Sequence, residues 1–148
     1  MGPETFLKSR KDAISIEERH ANEMRVYDDM ADQVLAEWTD DDYRVDPFQL
    51  PECHQFEGPM QQLIDWSQPL AGATVLETGS GFGELTCWLA LNGAEVIATD
   101  ISGKCLEVVR ERARRNGVED RIRTLNTPIE EADGVDDESV DLVFGRTV

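Results

Sequence analysis

Between Thr74 and Asp100 the chain runs through a succession that few folds accommodate. Thr74-Val75-Leu76-Glu77 reads as a short apolar strand and Gly79-Ser80-Gly81-Phe82-Gly83 as a glycine-rich turn. Glu84 to Leu91 follows as a helix with Leu85, Trp88 and Leu89 inward, stopped by Asn92-Gly93. Ala94 to Thr99 is a second strand with Asp100 at its end. Ser102 can cap a further helix that runs to Asn116-Gly117. Arg121 to Asn126 and Val140 to Phe144 read as third and fourth strands, the last one buried. Strands alternating with helices of this length predict an α/β fold built on a doubly wound, mostly parallel sheet of about four strands.

In such a sheet a ligand sits beyond the carboxyl ends of the strands, where the strand order reverses. A first strand, a glycine turn and a helix build that place. Glycines permit backbone angles closed to other residues and let a ligand approach the main chain with no Cβ in the way. The helix starting near Glu84 points its amide groups and positive dipole end at that ligand. Asp100, 21 residues after Gly79, is placed to accept hydrogen bonds from ribose hydroxyls. A nucleoside-containing ligand is the inference.

The dinucleotide fingerprint is GxGxxG, and counted from Gly79 its third glycine falls on Glu84. The spacing here is GxGxG, with Glu77 two residues before the first glycine. An anion beside the turn is awkward for a pyrophosphate. It suits a ligand that carries an amino group and a positive charge. Glu84 itself reads as a first-turn acid favourable to the helix dipole.

Upstream, residues 13–38 read as one amphipathic helix, with Met24, Tyr27, Ala31, Val34, Leu35 and Trp38 at three- and four-residue spacing. Such a helix either packs on the domain or covers a ligand with Tyr27 or Trp38. Residues 39–58 read as a loop or linker, punctuated by Pro47, Pro51 and Gly58-Pro59. A short helix is expected at about 60–67. The organisation is therefore an N-terminal helix and linker over 1–57 and a ligand-binding domain over 58–148.

Composition narrows the partners. The chain carries 31 acidic and 14 basic side chains, net −17. Residues 1–75 hold 16 acids and 6 bases and residues 76–148 hold 15 and 8, so neither half is a basic arm. A surface of this sign repels phosphate backbones, and nucleic acid is not an expected partner. Arginine outnumbers lysine 11 to 3, a balance that suits a salt-adapted host and equally an ordinary acidic cytosolic protein. No apolar run is long enough to span a membrane and no signal peptide opens the chain, so the expected compartment is the cytoplasm. Cys53, Cys87 and Cys105 form no CxxC, and Cys53-His54 lacks further ligands, so no metal site is expected. Cys87 and Cys105 fall on the inward stripes of their helices. Arg110, Arg112, Arg114 and Arg115, with Glu107 and Glu111 among them, read as a solvated helix face. His20 and His54 are incidental, and no catalytic base can be named.

Val75-Leu76-Glu77-Thr78-Gly79-Ser80-Gly81-Phe82-Gly83 resembles the first motif of class I S-adenosylmethionine-dependent methyltransferases. Ile97-Ala98-Thr99-Asp100-Ile101-Ser102 is similar to the second-strand motif of that family, and Thr127-Pro128-Ile129-Glu130-Glu131 to its third-strand loop. Val140-Asp141-Leu142-Val143-Phe144-Gly145 resembles its fourth strand, and Tyr27-Asp28-Asp29-Met30-Ala31 the run before many small-molecule members. The resemblance implies a Rossmann-like domain with S-adenosyl-L-methionine as methyl donor and a small-molecule acceptor. By the same resemblance Glu77 receives the methionine amino group. Gly79, Gly81 and Gly83 let the backbone lie against methionine and ribose. Asp100 holds the ribose hydroxyls and Ile101 packs on the adenine. Thr127 stands where the family often has an aspartate that meets the adenine amine. Arg146, just past the fourth strand, points away or meets the methionine carboxylate.

The family fold continues beyond a fourth strand. A chain that stops at Val148 is expected to be the amino-terminal part of a catalytic domain. Its edge is then expected to self-associate or be completed by a missing C-terminal part. A non-catalytic module that binds the cofactor or pairs with another subunit is the alternative from a different class. A nicotinamide-dependent oxidoreductase is the alternative among enzymes, disfavoured by Glu84.

Overall fold

The computed structural model of the chain describes residues 14–51 and 57–145, the first four of the latter by backbone alone. The elements, in chain order, are α1 (Ile16–Glu37), α2 (Asp40–Tyr43), α3 (Glu57–Trp66), β1 (Thr74–Thr78), α4 (Glu84–Leu91), β2 (Glu95–Asp100), α5 (Gly103–Arg115), β3 (Ile122–Asn126) and β4 (Leu142–Gly145). A single 3-10 turn, Glu119–Arg121, leads into β3. All strand pairs are parallel, in the order β3-β2-β1-β4. The order reverses between β1 and β4, which fixes the switch point next to the turn after β1.

β1 and β2 are apolar along almost their whole length because both of their faces are covered. Val75, Leu76, Val96, Ile97 and Ala98 are buried. Leu85, Cys87, Trp88, Leu89 and Ala90 of α4 pack with Val75 and Val96, and Ile64 of α3 and Leu70 join the same core. α5 is covered on two sides. Leu106 and Val109 meet Ala98 of the sheet. Cys105 and Val108 meet Ala31, Val34 and Tyr43 of the N-terminal segment.

α1 begins at a capping box. The Ser15 Oγ accepts the Glu18 N–H and the Glu18 carboxylate accepts the Ser15 N–H, each at 3.1 Å. α1 packs on the domain, as one of the two expected readings had it.

Three expectations need correction. The stretch 39–58 was expected to be loop, yet it holds α2. The Thr39 N–H and O–H both donate to Asp42, at 2.8 and 2.7 Å, and Tyr43 and Val45 are buried. One turn of helix is too short to show periodicity. The Asn116 side chain then ties this segment to the end of α5, accepting the Val45 N–H at 3.0 Å and donating to the Tyr43 carbonyl at 2.8 Å. β4 was expected to be buried, yet Val143 is 58% exposed and only Phe144 is buried. Among the described residues β4 pairs with β1 alone. Arg112 was placed on a solvated face, yet it is 4% exposed, because α1 and α2 cover that side of α5. Arg114 and Arg115 do stay on the outer surface with Glu111, which they pull down to a pKa of about 2 by hydrogen bonding. Cys87 and Cys105 are fully buried, as their inward placement implied. Cys53, His54 and Arg146 lie outside the described residues.

Candidate cofactor site

The turn after β1 takes its shape from its glycines. Gly79, Gly81 and Gly83 have φ of 65°, 53° and 77°, the left-handed region that costs other residues about 1–2 kcal/mol. Gly81 and Gly83 differ in their surroundings. A Cβ on Gly81 would meet nothing within 4 Å, so the main chain there faces open space. A Cβ on Gly83 would come within 3.0 Å of Val109 Cγ2 and 3.1 Å of its Cα, because Gly83 starts α4 directly against α5.

Asp100 closes the turn from the next strand. One carboxylate oxygen accepts the Gly81 N–H and the other accepts the Ser102 N–H, both at 2.9 Å. Asn126, at the end of β3, donates its side-chain amide to the carbonyls of Asp100 and Ile101, each at 2.9 Å. The ends of β1, β2 and β3 are thereby fixed relative to one another. Burial raises the Asp100 pKa, opposed by the N–H groups of Ser102, Gly81 and Ile101, and the Asp28 carboxylate adds to the rise. A carboxylate has about four acceptor positions, so both oxygens keep capacity for hydroxyl donors.

Glu77 is 4% exposed near the end of β1, and the Thr86 hydroxyl, one turn into α4, donates to its Oε2. The Thr99 hydroxyl donates to the Glu77 carbonyl at 3.0 Å. Ile101 is half-buried beside Asp100. Thr127 is buried, and its hydroxyl accepts the Asp133 N–H at 3.0 Å and donates to the Pro128 carbonyl at 3.3 Å. It therefore holds the loop after β3 in place. Glu77, the three glycines, Asp100, Ile101 and Thr127 all lie at the carboxyl end of the sheet or in the connections leaving it, as the sequence pattern had placed them.

Other residues around the site were not legible. Asp28 of α1 accepts the Ser102 O–H, which brings a second carboxylate to the end of β2. His20 of α1 lies 3.5 Å from Glu130 in the loop after β3. Trp38, after α1, packs edge to face on Phe82 of the glycine turn, with centroids 5.8 Å apart. The only sequence signal for these contacts was the apolar stripe of α1 that ends at Trp38, of which Ala31 and Val34 are buried while Met24, Tyr27 and Leu35 are exposed. The spacing could not say which loop they would reach.

The residues fit a cofactor of the kind the motifs imply. There is main chain open to approach at Gly81 and an acid with spare acceptor capacity at Asp100. A second buried acid sits at Glu77, and the buried Ser80 hydroxyl in the turn has no hydrogen-bond partner among the described residues.

Comparison with known proteins agrees with this geometry. The methyltransferase-domain family matches residues 75–148, from β1 through the described strands. Methyltransferase GfsG of Streptomyces halstedii is 35% identical over 128 residues, 82% of this chain and 44% of that protein. The crystal structure of ribosomal protein L11 methylase from Lactobacillus delbrueckii subsp. bulgaricus matches with a TM-score of 0.54 and 30% identity. That match covers 70% of this chain and 51% of that one. A SAM-dependent methyltransferase from Thiobacillus denitrificans, in complex with S-adenosyl-L-homocysteine, matches with a TM-score of 0.51 and 28% identity. It covers 72% of this chain and 40% of its own. The chain thus spans about half or less of the length of these relatives. With half of its residues matched by the family and its four strands in the parallel order of the expected fold, the chain belongs to the methyltransferase-domain family, among the class I S-adenosylmethionine-dependent methyltransferases.

Proposed function

We propose that this chain binds S-adenosyl-L-methionine against the glycine-rich turn and serves methyl transfer to a small-molecule acceptor. The observation that carries the reading is the Asp100 carboxylate, bonded to the Gly81 N–H at 2.9 Å while Gly81 opens on free space. A ribose laid on that turn meets an acceptor for its hydroxyls and a main chain without a Cβ. Ile101 offers an apolar side chain to the adenine beside it. Glu77 takes the methionine amino group, and the Thr86 hydroxyl holds its carboxylate in one orientation. Thr127 keeps the loop after β3 closed on the adenine side.

The cofactor supplies a sulfonium methyl group that passes to a nucleophilic atom by direct displacement. The work left to the protein is chiefly positioning, which can account for several kcal/mol of the barrier, on the order of 7–11 in well-oriented systems. A small acceptor is favoured over nucleic acid because a chain at −17 repels a phosphate backbone. The turn, lacking the third glycine of the dinucleotide pattern and flanked by Glu77, does not suit NAD.

Isothermal titration tests the cofactor. S-adenosyl-L-homocysteine should bind at micromolar levels and NAD should not. Tighter binding of NAD would overturn the assignment. Transfer of a radiolabelled methyl group in a cell extract tests the acceptor. The label should appear in the small-molecule fraction, and label in the protein or RNA fraction would exclude a small acceptor.

A further inference from the structure

The glycine turn is soft by composition and contains one large side chain, Phe82, between two left-handed glycines. Each ordered residue in such a segment costs conformational entropy when a ligand requires one geometry. Phe82 is half-buried, and its ring meets Trp38 edge to face, centroids 5.8 Å apart at 80°. Trp38 is not part of the sheet domain's own elements. It follows α1, and it is held from two further directions. Tyr43 packs edge to face on it at 5.2 Å and 77°, and the Arg112 guanidinium lies 4.8 Å from its ring centroid.

Arg112 explains why Trp38 has a fixed orientation. It is buried, its Nη2 donates to the Asp42 carbonyl at 3.2 Å, and its Nε has no partner among the described residues. A guanidinium with so few hydrogen bonds depends on the face of the indole, a contact that gains strength where water is excluded. A chain of contacts therefore runs from a buried cation in α5, through an indole brought by the N-terminal segment, to the one large side chain in the cofactor turn.

We infer that Trp38 is a positioning residue for the cofactor turn, acting through Phe82, with Arg112 setting its orientation. This rests on the reading that the turn holds S-adenosyl-L-methionine. Trp38 prearranges the segment on which the methionine and ribose parts of the ligand lie. The adenine is met by Ile101, which follows β2 and lies outside that turn. The N-terminal segment is then a working part of the cofactor site as well as a packed neighbour.

The split between the two parts of the ligand is the test. Binding of S-adenosyl-L-homocysteine and of adenine is measured by titration on the full chain, unaltered and as Trp38→Leu, Trp38→Phe, Phe82→Leu and Trp38→Leu/Phe82→Leu. Trp38→Leu should weaken S-adenosyl-L-homocysteine about five- to tenfold, the size of one aromatic pair, and change adenine less than about twofold. Trp38→Phe should restore most of the loss. The double variant should bind no worse than the weaker single variant, because both break one contact. Equal losses for both ligands would mean general loosening and would overturn the inference, as would losses that multiply in the double variant. If Trp38→Leu does not fold, Phe82→Leu alone must show the same split, and its absence overturns the inference. If the unaltered chain binds neither ligand, the cofactor reading falls and the inference falls with it. If it binds both and Trp38→Leu changes nothing, only the inference falls.

Discussion

The Gly81 N–H donates to the Asp100 carboxylate at 2.9 Å across nineteen residues of sequence. This bond joins the turn after β1 to the end of β2. It makes the residue best placed to hold a ribose the same residue that shapes the backbone the ribose would lie on. Binding and turn geometry are therefore coupled at one side chain.

The contrast between Gly81 and Gly83 separates fold from binding. Gly83→Ala adds a Cβ at 3.0 Å from Val109 in a left-handed conformation, and should cost about 2–4 kcal/mol of stability in urea unfolding. Gly81→Ala adds a Cβ into open space and should cost only the conformational part, about 1–2 kcal/mol. On the proposed reading the ligand fills that space, so the variant should nevertheless weaken S-adenosyl-L-homocysteine in titration. Equal effects of the two variants on stability would contradict the packing described.

Asp100 sets a pH dependence with a definite sign. Ribose hydroxyls donate to the anion, so binding favours the ionised form. Burial raises the pKa of this carboxyl, so affinity should decline on acidification starting above the usual aspartate range. Asp100→Asn should bind weakly with little dependence on pH over the same interval, and Asp100→Ala should lose about 1.5–3 kcal/mol of binding. Stability runs the other way. A raised carboxyl pKa favours the protonated native chain, so this contribution is full at acid pH and is lost as pH rises through the raised value. Titrations of S-adenosyl-L-homocysteine at several pH values, beside urea midpoints at the same values, check both signs.

Arg112 carries a packing role that truncation should reveal. Arg112→Ala removes the guanidinium over Trp38 and leaves the Asp42 carbonyl without its donor, and should cost about 2–4 kcal/mol. Arg112→Met should recover part of that loss, because it fills the space without a buried charge whose Nε has no partner among the described residues. Urea midpoints of the two variants give the comparison, and a chain unaffected by Arg112→Ala would refute the cation's structural part.

The described thiols should be inert in the native chain. Burial pushes Cys87 up to about 12 and Cys105 to about 11, so the thiolate is scarce at neutral pH and neither sulfur is accessible. Iodoacetamide followed by peptide mass mapping should leave both unmodified, and both should react in urea. Native labelling at Cys87 would contradict its place on the buried face of α4.

The strands, the turn and the capped helices were legible because their signals are local. Val75-Leu76 and Val96-Ile97-Ala98 are buried on both faces and stand out as apolar runs. Gly79, Gly81 and Gly83 announce a left-handed turn, and Ser102 caps its helix through an oxygen three residues from Cys105 N. Asp100 and Glu77 followed from the turn. What stayed hidden depends on distant segments. Arg112 looks solvent-facing among its helical neighbours until α1 and α2 lie over it. Asp28 reaches Ser102 from 74 residues away. α2, at four residues, spans barely one turn and so shows no repeat. Val143 reads as core from its apolar neighbours, and only the strand order shows that among the described residues β4 has β1 as its one neighbour.

Ser102 is bonded in three directions at once. Its N–H donates to Asp100, its hydroxyl donates to Asp28, and the same oxygen accepts the Cys105 N–H that caps α5. Lifting α1 from the domain therefore removes the acceptor that orients the Ser102 hydroxyl, the group that caps α5. The N-terminal helix cannot peel away as an independent unit at low cost. Its opening is linked through Ser102 to the start of α5, so the amides of α1 behind Asp28 and those of the first turn of α5 should exchange with solvent as one cooperative group.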